Sequence, residues 1–570
     1  MRKHLLDVAA GRAAPDLVLK NGLVLNVFTK QFVQGDVAIA GGRVAGVGSY
    51  DGPCTRDCTG QWVVPGLIDA HMHIESTMAV PAALARAILP WGTTTLVADP
   101  HEIVNVRGAA GVRWLLEATE DLPLNVYVML PSSVPATPFE TNGADFTAAD
   151  MAPLMGHPRV LGLGEVMCYP DVVAGRDVIL DKLAAARAAG KRADGHAPDL
   201  SGKDLQAYAA AGIGTEHECT AFAEAAEKLA AGLAILVREG SAAKNLTALV
   251  QGLLDSGLPT ERFMFCTDDK HLDDTVREGN VRWNVRQAIG LGMSPEEALC
   301  MATWNAARVY GLEGELGAVA PGRRADVLVL EDLKEMRIAA VYKDGVPAED
   351  ALARMRPVPA PPALLHTVQF ADVTPARLAL PVPAGGRLHC VELVPYQIVT
   401  RDAWDIVPQK DGFFVPDETY TKLCVVERHG RNGNIAVCPL KGYGIRGGAV
   451  ATSVAHDSHN VIAAGDNDGD IALAANRLKE IGGGYVVASG GQVVGEVPLP
   501  VAGLLSEAPW QELQEATGAV LDKAKALGIP YHVDPFISLS FLALPVIPAL
   551  RLTDRGLFDV TKFALLEEEI

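Results

Sequence analysis

Short apolar runs alternate with polar, helix-compatible stretches through residues 62–310. Each run is followed by a segment rich in Ala, Leu and Glu. Eight such runs centre near Ile68, Thr95, Tyr127, Leu163, Ala193, Gly214, Ile235 and Phe265. Eight strand–helix units over roughly 250 residues have the size and rhythm of a (β/α)8 barrel of the TIM type. The pattern therefore predicts an α/β chain with such a barrel at residues 65–310, and residues 62–68 are predicted to be its first buried strand.

Both flanks of the predicted barrel carry a different pattern. Residues 16–50 and 316–345 consist of short apolar runs joined by Gly or Asn turns, which is typical of small strands in hairpins. We expect residues 1–64 and 311–356 to form one composite β-sandwich domain, into which the barrel is inserted.

The remainder of the chain begins with a proline-rich segment, which predicts a linker over residues 357–384. Strand-like runs at 413–415 and 422–427 then precede a helical pattern at about 470–479. Residues 385–570 are therefore predicted to form a C-terminal α/β domain.

The composition indicates which kinds of molecule the protein is expected to bind. The chain has 570 residues, a formal net charge of −20 and no basic cluster, which argues against nucleic acids and anionic membranes as partners. No apolar stretch approaches the ~20 residues of a membrane span. The nine cysteines are scattered without framework spacing, as expected of a cytoplasmic protein with free thiols. A small molecule is the expected partner.

Polar residues collect where the predicted barrel strands end, and barrel enzymes keep their active sites at the carboxyl ends of their strands. In chain order these residues are His71 and His73; Asp99, His101 and Glu102; Ser132 and Ser133; Glu165; Asp194 and His196; Glu216, His217 and Glu218; Arg238, Glu239 and Ser241; and Asp268 and Asp269. Because each of these groups follows a predicted barrel strand, we expect them to lie together in one site at the barrel mouth.

The residue types at this site match a centre of two divalent metal ions. His71 and His73 are two residues apart, so an extended strand points both imidazoles to the same side. A hydrolytic binuclear site needs about six ligands, including one anionic bridge. The predicted ligands are His71, His73 and Asp268 for the first ion, His196 and His217 for the second, and Glu165 as the bridge.

Several of these positions also have structural alternatives. Glu165 could lie in a solvated loop, His196 in a turn, and His217 could pair with its flanking glutamates. Asp269 could replace Asp268 as the ligand after the eighth strand. Iron, manganese and zinc are all compatible with mixed His and carboxylate ligation.

Two segments, PGLIDAHMH at 65–73 and GELGAVAPGRRADVLVL at 314–330, resemble the amidohydrolase superfamily. That superfamily commonly has a carboxylated lysine as the bridge, whereas this chain has Glu165, which points to a subgroup. Five further segments are similar to the bacterial adenine deaminases: GTTTLVADPHEIVNV at 92–106, GLGEVM at 162–167, DGHAP at 194–198, HDSHN at 456–460 and DPFISLSFLALPVIPALRLTDRGLFDV at 534–560.

The resemblance implies metal-dependent hydrolysis of adenine to hypoxanthine and ammonia, with a metal-bridged hydroxide attacking carbon 6. It favours manganese or iron among the metals. Asp268 would take the proton of the hydroxide and pass it to the departing amine. The predicted catalytic residues are Asp268, Glu165, His101 and Glu102.

The predicted substrate-binding residues are Asp99, His101, Glu102, Ser132, His456 and His459. His101 and Glu102 could instead form a salt-bridged loop pair, and residues 456–460 could organise the C-terminal domain without reaching the barrel. A cyclic-amide hydrolase or a deacetylase on the same scaffold is an alternative function. A catalytically silent binding protein would have no need of six metal ligands. We also expect a homo-oligomer.

Overall fold

The computed structural model describes residues 2–241, 243–395 and 397–566. The amino-terminal flank contributes five strands to an eight-stranded sheet. They are β1 (Leu17–Asn26), β2 (Gln31–Ala40), β3 (Arg43–Gly48), β4 (Thr55–Asp57) and β5 (Trp62–Pro65). Strands β1, β2 and β3 pair antiparallel, while β4 and β5 run parallel to β1.

The predicted barrel is confirmed. Its eight strands are β6 (Leu67–Met72), β7 (Thr93–Ala98), β8 (Asn125–Leu130), β9 (Val160–Val166), β10 (Arg192–Gly195), β11 (Thr215–Glu216), β12 (Ala234–Arg238) and β13 (Phe263–Cys266). Strands β6 to β10 form one parallel ladder and β11 to β13 a second one. Strand β10 lies beside β11, and β13 lies beside β6, which closes the circle.

The carboxyl flank completes the first sheet. Its strands are β14 (Val327–Asp332), β15 (Arg337–Lys343) and β16 (Val346–Pro347), and β14 pairs antiparallel with β5. The eight-stranded sheet is therefore built from segments that precede and follow the barrel.

One expectation about the barrel was wrong. Residues 62–68 are not a single strand, because β5 belongs to the flanking sheet and β6 to the barrel. The chain changes sheet at Gly66, whose N–H donates to the Asp326 carbonyl (2.8 Å). A Cβ at Gly66 would lie 2.2 Å from Thr94 Oγ1, so the close approach of these two segments requires glycine.

The C-terminal region contains the strands β17 (Arg387–Leu393), β18 (Thr400–Ile406), β19 (Gln409–Lys410), β20 (Phe413–Phe414), β21 (Tyr420–Val426), β22 (Ile435–Lys441), β23 (Ala449–Thr452), β24 (Val461–Gly465), β25 (Gly484–Ser489), β26 (Gln492–Pro498), β27 (Leu550–Thr553), β28 (Gly556–Asp559) and β29 (Ala564–Leu565). Eight of them form a second sheet of order β18-β17-β22-β21-β24-β23-β25-β26.

The helices follow the strands as the repeat predicts. Within the described residues they are α1 (Arg2–Ala9), α2 (Pro81–Ile88), α3 (His101–Arg107), α4 (Ala109–Ala118), α5 (Ala148–Met155), α6 (Tyr169–Val173), α7 (Asp177–Ala188), α8 (Gly202–Ala210), α9 (Phe222–Ala230), α10 (Leu246–Ser256), α11 (Leu272–Glu278), α12 (Val281–Gly290), α13 (Pro295–Met301), α14 (Trp304–Tyr310), α15 (Ala348–Arg354), α16 (Asp468–Ile481), α17 (Trp510–Ala526) and α18 (Ile537–Leu542). The predicted C-terminal helix lies within α16, which the Asn467 side chain caps by accepting from the Asp470 N–H (2.8 Å).

A buried apolar cluster that includes Ile68, Val97, Met129, Leu236 and Met264 packs below the strand ends and fixes their spacing. Among the described residues, no helix has the length and apolar character that a membrane span requires. The exact domain limits given above stay a prediction.

Candidate metal centre at the barrel mouth

The end of β6 carries His71 and His73, and both side chains are buried. His73 Nδ1 lies 2.8 Å from the backbone carbonyl oxygen of Asp99, to which it can donate. This hydrogen bond leaves the Nε2 lone pair of His73 facing the centre of the barrel, which is the usual arrangement of a metal-binding histidine. The His71 ring stacks on His217 with centroids 4.3 Å apart.

Glu165, at the end of β9, lies at the centre of these imidazoles. Its Oε1 is 3.4 Å from His73 Nε2 and 3.2 Å from His101 Nδ1. Its Oε2 is 2.8 Å from His196 Nδ1 and 3.2 Å from His217 Nε2. The two oxygens thus face different pairs of imidazoles, which is the arrangement that a bridging carboxylate needs.

Charge balance keeps Glu165 ionised. Burial would raise its pKa, but the contacts with His101, His196 and His217 hold that pKa well below the usual range. A carboxylate buried this deeply is stable only when cations or hydrogen-bond donors surround it.

Asp268 follows β13 and faces the same centre. Its Oδ1 lies 3.1 Å from His73 Nε2 and 3.5 Å from His71 Nε2, while its Oδ2 accepts from Arg238 Nη1 (2.7 Å). Burial would raise the pKa of Asp268, but Arg238 and the histidines hold it well below the usual range. The neighbouring Asp269 instead accepts a hydrogen bond from Ser76 Oγ.

The donor set fits divalent metal ions. His71 Nε2 and His217 Nε2 are buried and have no hydrogen-bond partner, which is unusual for buried polar atoms. Two groups, His71–His73–Asp268 and His71–Glu165–His217, each bring their donor atoms within 4.8 Å of one another. Donor atoms bound at about 2.1 Å to one tetrahedral ion lie roughly 3.4 Å apart. The spacings given above match that distance.

Asp99 and Ser132 support the backbone of Glu165. Asp99 Oδ2 accepts from the Glu165 N–H (2.9 Å), and Ser132 Oγ donates to the Glu165 carbonyl (2.5 Å). Lys182 Nζ in turn donates to the Ser132 carbonyl (2.6 Å). These contacts position the central carboxylate, and the role of Asp99 and Ser132 in substrate binding stays a prediction.

Residues 456–460 lie against the barrel mouth. His456 Nδ1 is 2.8 Å from Glu102 Oε1, and His459 Nε2 contacts the other oxygen of Glu102. Asp457 Oδ1 lies 3.7 Å from His101 Nε2. The C-terminal region therefore contributes side chains to the surroundings of His101 and Glu102.

A cavity adjoins this group of side chains. Ser76, Glu102, Asp269, His456 and Phe541 are among the residues that line it. The Phe541 ring stacks on His456 with centroids 5.0 Å apart. The cavity thus combines an aromatic wall with several hydrogen-bonding groups.

Sequence reasoning gave Glu218 only a possible pairing with His217, and it assigned no role to Arg238 or Asp457. Arg238 pairs with Glu218, its Nη2 lying 3.0 Å from Glu218 Oε2, and it also contacts Asp268. Glu218 Oε1 lies 3.4 Å from His217 Nε2. Glu218 and Arg238 were already marked by their positions at strand ends, and adjacent strands place them side by side.

Comparison with known proteins identifies relatives of this sequence. The model of the amidohydrolase family matches residues 62–348, and the model of the adenine deaminase C-terminal domain matches residues 397–564. The chain is 46% identical over 560 residues to the adenine deaminase of Desulfitobacterium hafniense (strain Y51), covering 98% of each protein. It is 46% identical over 568 residues to adenine deaminase 2 of Carboxydothermus hydrogenoformans, covering 99% of each.

Among solved structures, the N-acetyl-D-glucosamine-6-phosphate deacetylase of Mycobacterium smegmatis has 20% sequence identity and a TM-score of 0.45, over 58% of this chain and 99% of that chain. The sequence comparisons confirm the resemblance drawn from the motifs. The chain therefore belongs to the amidohydrolase family and, along nearly its whole length, to the adenine deaminases within it.

Proposed function

We propose that the protein hydrolyses adenine to hypoxanthine and ammonia at the barrel mouth. The observation that carries this proposal is the near-full-length similarity to proteins named adenine deaminase, which extends through the C-terminal region. A small molecule is thus the substrate, and water is the second reactant.

Divalent metal ions are the cofactors of this family, and we assign two to this centre. His71, His73 and Asp268 would hold the first, His196 and His217 the second, and Glu165 would bridge them. Mixed imidazole and carboxylate ligation suits manganese, iron or zinc, and the family resemblance favours manganese or iron. When bound, the ions supply the activation of water that attack on carbon 6 of adenine requires.

Asp268 is the proposed proton carrier. Oδ1 of Asp268 faces His71 and His73, where it would bind the first ion, whereas Oδ2 accepts from Arg238 Nη1 (2.7 Å) and keeps a second lone pair for the proton of the attacking water. The same oxygen can then deliver that proton to the amine that leaves carbon 6. Because Arg238 and the histidines keep the pKa of Asp268 low, the carboxylate starts the reaction in its basic form.

The substrate side of the site is formed by His101, Glu102, His456 and His459. Buried polar groups of this kind need hydrogen-bond partners, and the ring nitrogens and exocyclic amine of adenine offer both donors and acceptors. His101 and Glu102 are also the proposed groups for proton relay to the ring. Phe541 stacks on His456, and both side chains line the adjoining cavity.

The direct experiment incubates the purified, Mn²⁺-loaded protein with adenine and measures ammonia and hypoxanthine together. The proposal expects equal amounts of both products, and no product after the metal is removed. Cyclic amides and N-acetyl sugars serve as alternative substrates, and faster turnover of either would favour the other hydrolase functions.

We further propose that the protein is a cytoplasmic homo-oligomer. Its nine cysteines are all unpaired, which suits a reducing compartment. Light scattering on the purified protein measures its oligomeric state, and a monomer at micromolar concentration would contradict that part of the proposal.

A further inference from the structure

We propose that the hydroxyl of Ser540, on α18, hydrogen-bonds the edge of the purine that carries N3 and N9. This inference rests on the proposed deamination and deepens it, because it names a residue that would read the substrate at a distance from the metal centre. It also gives the C-terminal region a direct part in substrate recognition.

Helix α18 presents one side to the cavity that adjoins the barrel mouth. Ile537, Ser540 and Phe541 line this cavity, and residues three and four positions apart share one side of a helix. Leu539 and Leu542 instead belong to the buried apolar core. Ser540 is therefore the polar member of the three side chains that α18 contributes to the cavity.

The hydroxyl of Ser540 is buried without a partner. Ser540 is 4% exposed, and its Oγ makes no hydrogen bond within the described part of the chain. A serine inside a helix can donate back to the carbonyl four residues earlier, but here the Phe536 carbonyl accepts the Ser540 N–H (2.9 Å) and the hydroxyl is left over. Ser76, another serine of the cavity lining, donates to Asp269. Because an unpartnered buried hydroxyl costs free energy, a bound ligand is the expected partner of Ser540.

The rest of the lining indicates how the purine would lie. Glu102 and Asp269 line the cavity on the barrel side, and Asp269 directly follows the proposed metal ligand Asp268. Carbon 6 of adenine and its amine have to face the metal centre for hydrolysis. N3 and N9 lie on the opposite edge of the purine, so they would face the wall that the C-terminal region supplies.

A hydroxyl is well suited to that edge of the ring. N3 of adenine accepts a hydrogen bond and N9 carries a proton, and a serine hydroxyl can both donate and accept. Val454, Leu504 and Ile537 make neighbouring parts of the lining apolar. A ring nitrogen that loses its water among apolar side chains costs free energy unless a protein group replaces that water. Ser540 would therefore favour purines over rings that lack a nitrogen at this position.

The first test measures kcat and KM for adenine with saturating Mn²⁺ in the wild type, Ser540→Ala and Ser538→Ala. We expect Ser540→Ala to lower kcat/KM by about three- to tenfold, the usual contribution of one neutral hydrogen bond. The loss should lie mainly in KM, because the bond is remote from carbon 6 and is made equally in the ground state and the transition state. Ser538→Ala is the matched control, since Ser538 is a half-buried serine of the same helix that lies outside the cavity lining, and it should match the wild type.

The second test uses two analogues as competitors of adenine. In 3-deazaadenine and in 9-deazaadenine, carbon replaces one ring nitrogen of the edge assigned to Ser540. The analogue that lacks the bonded nitrogen should inhibit the wild type and Ser540→Ala equally well. The other analogue should inhibit Ser540→Ala more weakly, by the same factor that is found for adenine.

Two results would overturn the proposal. One is a Ser540→Ala variant whose kcat/KM for adenine equals that of the wild type. The other is a variant whose loss is as large with both analogues as with adenine, which would indicate a general change in the cavity. An active wild type with either result refutes only the assignment of Ser540, whereas a wild type that does not turn over adenine refutes the proposed deamination and this inference with it.

Discussion

Replacing Asp268 by Asn tests the proton-transfer role most sharply, because the two side chains have nearly the same shape. The carboxylate contacts Arg238 at 2.7 Å and His73 at 3.1 Å. The amide keeps one oxygen near these groups but has no negative charge, so it neither accepts a proton nor binds a metal ion well. We therefore expect the folded structure to survive and catalysis to fall.

The expected loss in kcat follows from that role. General acid–base catalysis by a positioned side chain is worth ~10²–10⁴-fold in rate, which corresponds to about 3–5 kcal/mol in the activation barrier. Loss of a metal ligand adds to this effect. Arg238 keeps its ion pair with Glu218, so it is not left buried without a partner.

The assay measures steady-state ammonia release from adenine with saturating Mn²⁺, together with bound metal in the same sample. Asp269→Asn is the control, since Asp269 bonds to Ser76 and has the same chemistry one residue away. An Asp268→Asn variant within tenfold of wild-type kcat would refute the reasoning. A larger loss in Asp269→Asn would show that the wrong aspartate was assigned.

Three further perturbations have defined outcomes. Glu165→Gln should lose most activity and release metal during dialysis, because a neutral amide bridges two cations poorly; unchanged metal content and turnover would exclude the bridge. Alanine at both His456 and His459 should lower adenine turnover even in a sample whose melting temperature shows that it is folded. Unchanged turnover in a stable double variant would leave the segment a structural role only. Burial lowers the pKa of Lys182 from 10.5 to about 8, so between these pH values the unfolded chain binds more protons than the folded one. The free energy of unfolding of the wild type, measured in urea, should therefore rise by about 3 kcal/mol from pH 8 to pH 10.5 relative to that of Lys182→Met. Parallel pH profiles of the two proteins would contradict this.

Much of the fold could be predicted because the barrel repeats one local pattern. Each of the eight runs contains or directly adjoins a barrel strand. The HxH spacing at His71 and His73 and the polar residues after each strand are also local, so their convergence followed from the closure of the barrel.

Other features are not visible in the apolar pattern alone. Residues 62–68 are apolar because the flanking sheet and the barrel both bury them, and the Pro65-Gly66 dipeptide, a common turn signal, marks the change of sheet. The approach of His456 to Glu102 depends on how the C-terminal region docks on the barrel. The contact of Arg238 with Asp268 follows from the pairing of β12 with β13, so it could have been predicted from strand order alone.

The central claim is that this chain is a metal-dependent adenine deaminase. The most direct test follows hypoxanthine and ammonia formation from adenine by the apoprotein before and after addition of Mn²⁺. The account predicts negligible turnover without metal, equal formation of both products once Mn²⁺ is restored, and no fewer than two bound ions per chain in the active sample. Turnover that persists in the metal-free protein, or a fully active sample with one ion or none, would contradict it.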